Sequence, residues 1–170
     1  MSGSIFTNID HYIATITFSH PKSNSFPGDL LQKLIDTFNR LSSDESVKII
    51  VLQSEGDKAF CAGASFDELL QIDDAASGKL FFSGFANLIN AMRKCSRLIV
   101  GRIHGKSVGG GVGIAAACDY CFATEASDIK LSELSIGLGP FVIAPALERK
   151  MGIAALSELS LEAKSWKTAY

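Results

Sequence analysis

The stretch that decides the fold is residues 104–119, His-Gly-Lys-Ser-Val-Gly-Gly-Gly-Val-Gly-Ile-Ala-Ala-Ala-Cys-Asp. Leu98 to Ile103 precedes it and reads as a strand. The glycine cluster from Val108 to Gly113 reads as a turn, and Ile114 to Ala117 as a helix of small residues. A new strand is expected over Asp119 to Ala123. Strand, glycine turn, helix and strand in that order describe a crossover between parallel strands.

The same rhythm extends in both directions. Upstream, Val47 to Gln53 is an apolar strand, and Phe60-Cys-Ala-Gly-Ala-Ser65 is a second glycine-containing turn. Helices are expected from Phe66 and over Ala75 to Arg97, the latter carrying Leu80, Phe81, Phe85, Leu88, Ile89 and Met92. Downstream, Ile129 to Leu131 reads as a strand, and Pro140 to Lys150 and Ile153 to Leu161 as helices. Residues 4–19 alternate in the manner of two strands joined near Asp10-His11. Pro27-Gly28-Asp29 opens a helix whose stripe is Leu30, Leu31, Leu34, Ile35, Phe38 and Leu41. Alternating strands and helices predict an α/β fold with parallel strands and right-handed crossovers. The letters show no internal repeat and no low-complexity segment.

The 170 residues suit one domain, and 47% hydrophobic against 20% charged residues is enough for a packed core. With 16 basic and 18 acidic residues the net charge is −2, which gives no footprint for nucleic acid or an anionic membrane surface. No apolar run approaches the ~20 residues of a membrane span, and residues 1–10 lack a signal pattern. The expected location is the cytoplasm. Cys61, Cys95, Cys118 and Cys121 are then expected as free thiols. Cys118 and Cys121 form a C-x-x-C, but a metal site of that kind needs a second ligand pair, and a redox motif opens a helix rather than a strand. Small buried apolar groups are the better reading, with metal or redox chemistry kept as a third possibility for function.

Both glycine turns bring backbone close to whatever binds there, and a helix start leaves N–H groups free for negative charge. Neither is a dinucleotide fingerprint, which needs G-x-G-x-x-G after the first strand of its unit and an acidic residue downstream. Neither is a phosphate loop: Gly105-Lys106-Ser107 precedes the glycine cluster instead of closing it.

Together the turns resemble the crotonase superfamily, also called the enoyl-CoA hydratase/isomerase family. Ala59 to Ser65 is similar to its A-F-C-A-G-A-[DS] signature, and His104 to Gly111 to its N/H-G-x-x-x-G-G-G signature. Leu131-Ser-Glu133-Leu-Ser-Ile-Gly137-Leu-Gly-Pro140 resembles its P-E-x-x-x-G-x-x-P segment. The resemblance covers residues 5 to about 160. It implies a spiral of repeated ββα units that binds acyl-CoA thioesters, with the backbone N–H groups of Ala64 and Gly110 forming an oxyanion hole. It implies a core over residues 1–161, with 162–170 beginning a C-terminal helical region that is cut short. It implies homotrimers or hexamers, no metal, and no cofactor apart from the coenzyme A carried by the substrate.

Two glutamates serve the family's hydratases. Glu133 matches one, as acid/base; Gly113 stands at the other position. One carboxylate suits a 1,3-proton shift better than hydration, although both an enoyl-CoA hydratase and a double-bond isomerase fit the resemblance. A non-catalytic acyl-CoA-binding protein is the alternative. Lys22 is expected near the coenzyme A phosphates. Ala62, Ser65, Phe66 and Gly113 are expected along the substrate path. Asp67, Glu68, Asp73 and Asp74 are candidates for a replacement acid, each with a solvated surface charge as the simpler reading.

Overall fold

The computed structural model describes residues 3–169. The chain opens with a hairpin, β1 (Ser4–Asp10) antiparallel to β2 (Ile13–Ser19). His11 and Tyr12 make its two-residue turn with φ of 45° and 67°, the left-handed pair that matches strand twist. Helix α1 (Gly28–Ser43) follows, and its leucine stripe with Phe38 and Leu41 is buried as the spacing predicts.

Three ββα passes then wind in the same sense. The first is β3 (Ile49–Ser54), β4 (Ala59–Cys61), α2 (Phe66–Leu69) and α3 (Ala75–Lys94). The second is β5 (Leu98–Ile103), β6 (Lys106–Val108) and α4 (Gly110–Ala117). The third is β7 (Tyr120–Ala123), β8 (Asp128–Lys130), a 3-10 turn (Glu133–Ile136) and α5 (Ala144–Leu161). Each pass adds one strand to each of two sheets. The first sheet runs β1-β2-β3-β5-β7; the second runs β4-β6-β8 and ends on β9 (Lys167–Thr168). From β2 to β7 and from β4 to β8 the pairing is parallel, while β9 is antiparallel to β8. This is the α/β spiral expected from the sequence.

The core lies between the first sheet and the helices. Ile16, Phe18, Ile50, Leu52 and Ile99 point inward from the strands and are fully buried. Phe18 packs its ring on Phe26 at 4.8 Å and on Phe60 at 5.3 Å, which ties β2 to the start of α1 and to β4. Burying one such side chain contributes roughly 1.5–3 kcal/mol.

Several boundaries differ from the pattern reading. β4 and β6 are strands where turns were expected, because three residues are too few to carry a periodic signal. Residues 140–143 are not helical and α5 begins at Ala144, while its break at Gly152, where φ is 81°, falls between the two helices expected there. Residues 162–169 hold a turn and β9 and no helix. Among the described residues no helix is long and apolar enough to cross a membrane.

Candidate active site

The spiral places the two glycine turns side by side, because each follows a strand of the second sheet and β4 pairs with β6. In the first turn, nearly every backbone N–H has a partner. Ala62 N donates to Ser23 O at 3.1 Å, and Ser65 N to Phe26 O at 3.0 Å. Gly63 N donates to the Cys61 sulfur at 3.4 Å. Phe26 N in turn donates to Gly63 O at 2.8 Å. Phe26 therefore brackets Ala64 in a single parallel bridge, using the groups on either side of it. The Ala64 N–H is left pointing the other way, without an acceptor among the described residues.

The second turn repeats the arrangement. Gly109 N donates to Lys130 O at 2.9 Å, and Gly109 O accepts from Val112 N and Gly113 N at 2.9 and 3.2 Å. Gly110 and Gly111 are the first residues of α4 and have no carbonyl behind them to accept their protons. Of the two, Gly110 lines the cavity below and Gly111 is buried. The turns touch closely. At Gly63, where φ is 89°, a Cβ would lie 2.8 Å from Val108 O and 3.3 Å from Gly110 N. At Gly110 a Cβ would lie 2.3 Å from the Phe85 ring. Glycine is required at both positions by space.

A cavity of about 190 Å³ is lined by both Ala64 and Gly110. Its walls come from α3 (Phe81, Phe82, Phe85), from the 3-10 turn and the segment after it (Ile136, Leu138), and from Val142 and Ile143. Glu133 is the single ionisable side chain on its lining, and Ser132 beside it is the other polar one. Glu133 heads the 3-10 turn, which closes on Gly137 in the left-handed region. Its carboxylate sits against the second glycine turn: a Cβ on Gly109 would lie 2.9 Å from Oε1. Oε2 is buried without a hydrogen-bond partner. Loss of water around it raises the carboxyl above its ordinary value of 4.5.

Ala62 and Phe66 also line the cavity, whereas Lys22, Ser65 and Gly113 do not. Ser65 caps α2, its hydroxyl accepting from Glu68 N at 3.4 Å. Lys22 is exposed and paired with Asp67. Gly113 is buried in α4 under Ile143. None of the candidate replacement acids reaches the cavity. Asp67 holds Lys22, and Glu68 accepts from Gly28 N at 3.0 Å. Asp74 caps α3 through Ser77 N at 2.7 Å, and Asp73 accepts from the Ser77 hydroxyl.

Cys118 is buried at the end of α4, donating to Ile114 O at 3.5 Å, and Cys121 donates to Ala115 O at 3.2 Å. Among the described residues no group of three or more His, Cys, Asp or Glu is placed to hold a metal.

Three residues that the pattern reading passed over shape the site. Asn24, left-handed at φ 57°, donates its carboxamide to Glu55 O and Ala59 O at 2.8 and 2.9 Å and accepts from His20 N at 2.9 Å. It fixes the loop whose Ser23 carbonyl holds Ala62. Phe26 brackets Ala64, as described, and Ile143 lines the cavity and packs over Gly113. A polar loop containing Asn was the only sequence signal for the first, and nothing marked the other two.

A family model described as enoyl-CoA hydratase/isomerase matches residues 8–169. A Bacillus subtilis (strain 168) protein named probable enoyl-CoA hydratase is 28% identical over 89% of this chain and 58% of its own length. Human 3-hydroxyisobutyryl-CoA hydrolase, mitochondrial, is 30% identical over 81% of this chain and 37% of its own. A crystal structure of enoyl-CoA hydratase from Mycobacterium smegmatis superposes with a TM-score of 0.91 at 26% identity, covering 97% of this chain and 64% of that one. The chain thus spans between about one third and two thirds of the length of these relatives.

Proposed function

The chain belongs to the enoyl-CoA hydratase/isomerase family, and from that premise we propose that it shifts a double bond in an enoyl-CoA thioester, holding the thioester oxygen on the Ala64 and Gly110 N–H groups and moving one proton with Glu133. The reading rests on one observation: two residues whose N–H groups have no acceptor among the described residues line a cavity that carries a single ionisable side chain.

In a β,γ-unsaturated thioester, the Glu133 carboxylate takes a proton from Cα. The C–H electron pair becomes the Cα–C1 double bond of an enolate, and the carbonyl π pair moves to oxygen. The negative oxygen lies between two fixed N–H dipoles, one of them at the positive end of α4, which need no reorganisation as the charge grows. When the carbonyl re-forms, the Cα–C1 pair becomes the Cα–Cβ double bond. The former Cβ–Cγ π pair takes the proton back from Glu133 at Cγ. One base that is also the acid suffices, and its raised pKa suits both halves of the task. Syn hydration instead needs one group to position the water and a second to donate a proton to carbon; the lining holds no second carboxylate. Lys22, at the edge of the first turn, would exchange Asp67 for a coenzyme A phosphate. Assembly into trimers or pairs of trimers follows from the family and is tested by native mass spectrometry.

The decisive experiment feeds 2-enoyl- and 3-enoyl-CoA substrates to the protein in H2(18)O. Double-bond migration without 18O in the product is the expected result. Efficient 18O incorporation would overturn it in favour of hydration. Tight acyl-CoA binding with no turnover of any substrate would favour the acyl-CoA-binding reading.

A further inference from the structure

Residue 113 lies three positions after Gly110 on α4 and so faces the same side of the helix as the residue that lines the cavity. Yet Gly113 does not reach the cavity, because Ile143 lies between. A Cβ on Gly113 would sit 2.5 Å from Ile143 Cγ2 and 2.8 Å from Ile143 Cβ, with Ile89 Cδ1 3.6 Å away on the other flank. Ile143 is held firmly: it is 3% exposed. Its N–H donates to Pro140 O at 3.2 Å, and its carbonyl accepts from Ala146 N and Leu147 N at 3.0 and 3.2 Å. Its branched side chain is stiff at χ1. The other apolar side chains of the lining include Phe81, Phe82, Phe85, Leu138 and Val142. Ser132 and Glu133 are adjacent in sequence, and they are the only polar side chains on the whole lining. An ordered water needs two to four polar partners, and the Ile143 side chain over Gly113 offers it none.

We propose that Ile143 is a specificity-determining residue: by filling the space over Gly113 it keeps the acyl end of the site dry and apolar, so that the site takes enoyl-CoA thioesters with uncharged acyl groups and excludes both attacking water and carboxylated acyl chains. The inference rests on the acyl-CoA reading of this cavity. A carboxylate on the acyl chain would lose its water against an apolar wall without a cation to meet it. A branched acyl group would compete with the Ile143 side chain itself.

The test compares wild type, Ile143→Ala, Gly113→Glu and the double variant. Each is measured for kcat/KM on straight, branched and carboxylated enoyl-CoAs, for 18O uptake, and for calorimetric binding of saturated acyl-CoA analogues, which needs no turnover. Wild type is expected to prefer the straight uncharged acyl group. Ile143→Ala is expected to raise kcat/KM and affinity for branched acyl groups by about tenfold or more, the scale for one or two methyl groups in an apolar pocket. Gly113→Glu alone is expected to lower Tm, and Ile143→Ala in the same chain to restore it and admit 18O into product. Ile143→Ala that leaves both acyl preference and analogue binding unchanged overturns the proposal, whether or not the double variant folds. So does Gly113→Glu with the Tm of wild type. Wild type that turns over no enoyl-CoA counts against the isomerase reading alone, since analogue binding still scores Ile143.

Discussion

The two sides of the cavity are made of different material. On one side the main chain works: Ala64 and Gly110 present N–H groups that no carbonyl claims, and side chains matter there chiefly by being absent. Elsewhere on the lining side chains work: Glu133, its carboxylate resting against the second glycine turn, carries the charge, and Ile143 occupies the volume. The difference teaches how each side can vary. The backbone side is fixed by the pairing of β4 with β6 and by the Phe26 bridge, so it does not depend on which side chains line the rest of the cavity. The side-chain side can be rewritten by one or two substitutions.

The contrast is sharpened most by Glu133→Gln, which removes the only titrating group on the lining while preserving shape. Turnover should fall by about 10²–10⁴-fold, the usual span for a positioned acid/base, with acyl-CoA affinity retained. Stopped assays paired with calorimetry check it; a loss of binding as large as the loss of turnover would mean that Glu133 holds the fold or the ligand instead of the proton.

On the backbone side the corresponding change is Gly110→Ala. The new methyl would lie 2.3 Å from the Phe85 ring, so the ring or α4 must move and the N–H leaves its aim. Turnover should fall by about 10²–10³-fold, the cost of one oxyanion donor. Phe85→Leu in the same chain should recover part of it by making room. If Gly110→Ala costs less than tenfold with Phe85 intact, the N–H is not a donor to the reacting oxygen.

The two sides also differ in how legible they were in the sequence. Glycine is a loud signal, and Gly63 and Gly110 stand where their absence of Cβ is required. Leu98–Ile103 was readable to the residue because all its signal is local. β4 and β6 were not, since each is three residues long and exists only by pairing with distant stretches of chain. The ββα repetition is in the backbone and not in the letters. Glu133 could be named from its motif, but its orphaned oxygen could not. The occupant of the space above Gly113 was least legible of all. Ile143 lies thirty residues away and reads as one more apolar residue at a helix start. Glycine announces that space is needed; it does not say what fills it.

Glu133 also gives the contrast a pH signature that backbone groups cannot have. Its pKa is raised in the folded chain, so between 4.5 and that higher value the folded state binds more protons than the unfolded one. Its contribution to stability is therefore complete below pH 4.5 and is lost as pH rises through the folded value. The amide of the Glu133→Gln variant cannot ionise and carries no such penalty. The variant's Tm should thus gain on that of wild type from acid to neutral pH, as calorimetry in steps of pH would show. A gap that stays constant would place the carboxylate in water.

The smallest effect is expected at the rim. Lys22 and Asp67 form an exposed pair, and such pairs contribute about 0–1 kcal/mol. Lys22→Ala should leave Tm almost unchanged and leave kcat alone, since Lys22 does not line the cavity. If Lys22 meets a coenzyme A phosphate, KM should rise several-fold at low salt, and the rise should shrink as salt screens the charge. Asp67→Asn separates the roles: freed from its partner, Lys22 should bind the phosphate better, lowering KM. A KM that ignores salt in both variants would leave Lys22 as a surface charge and put the phosphates elsewhere, without disturbing either side of the cavity.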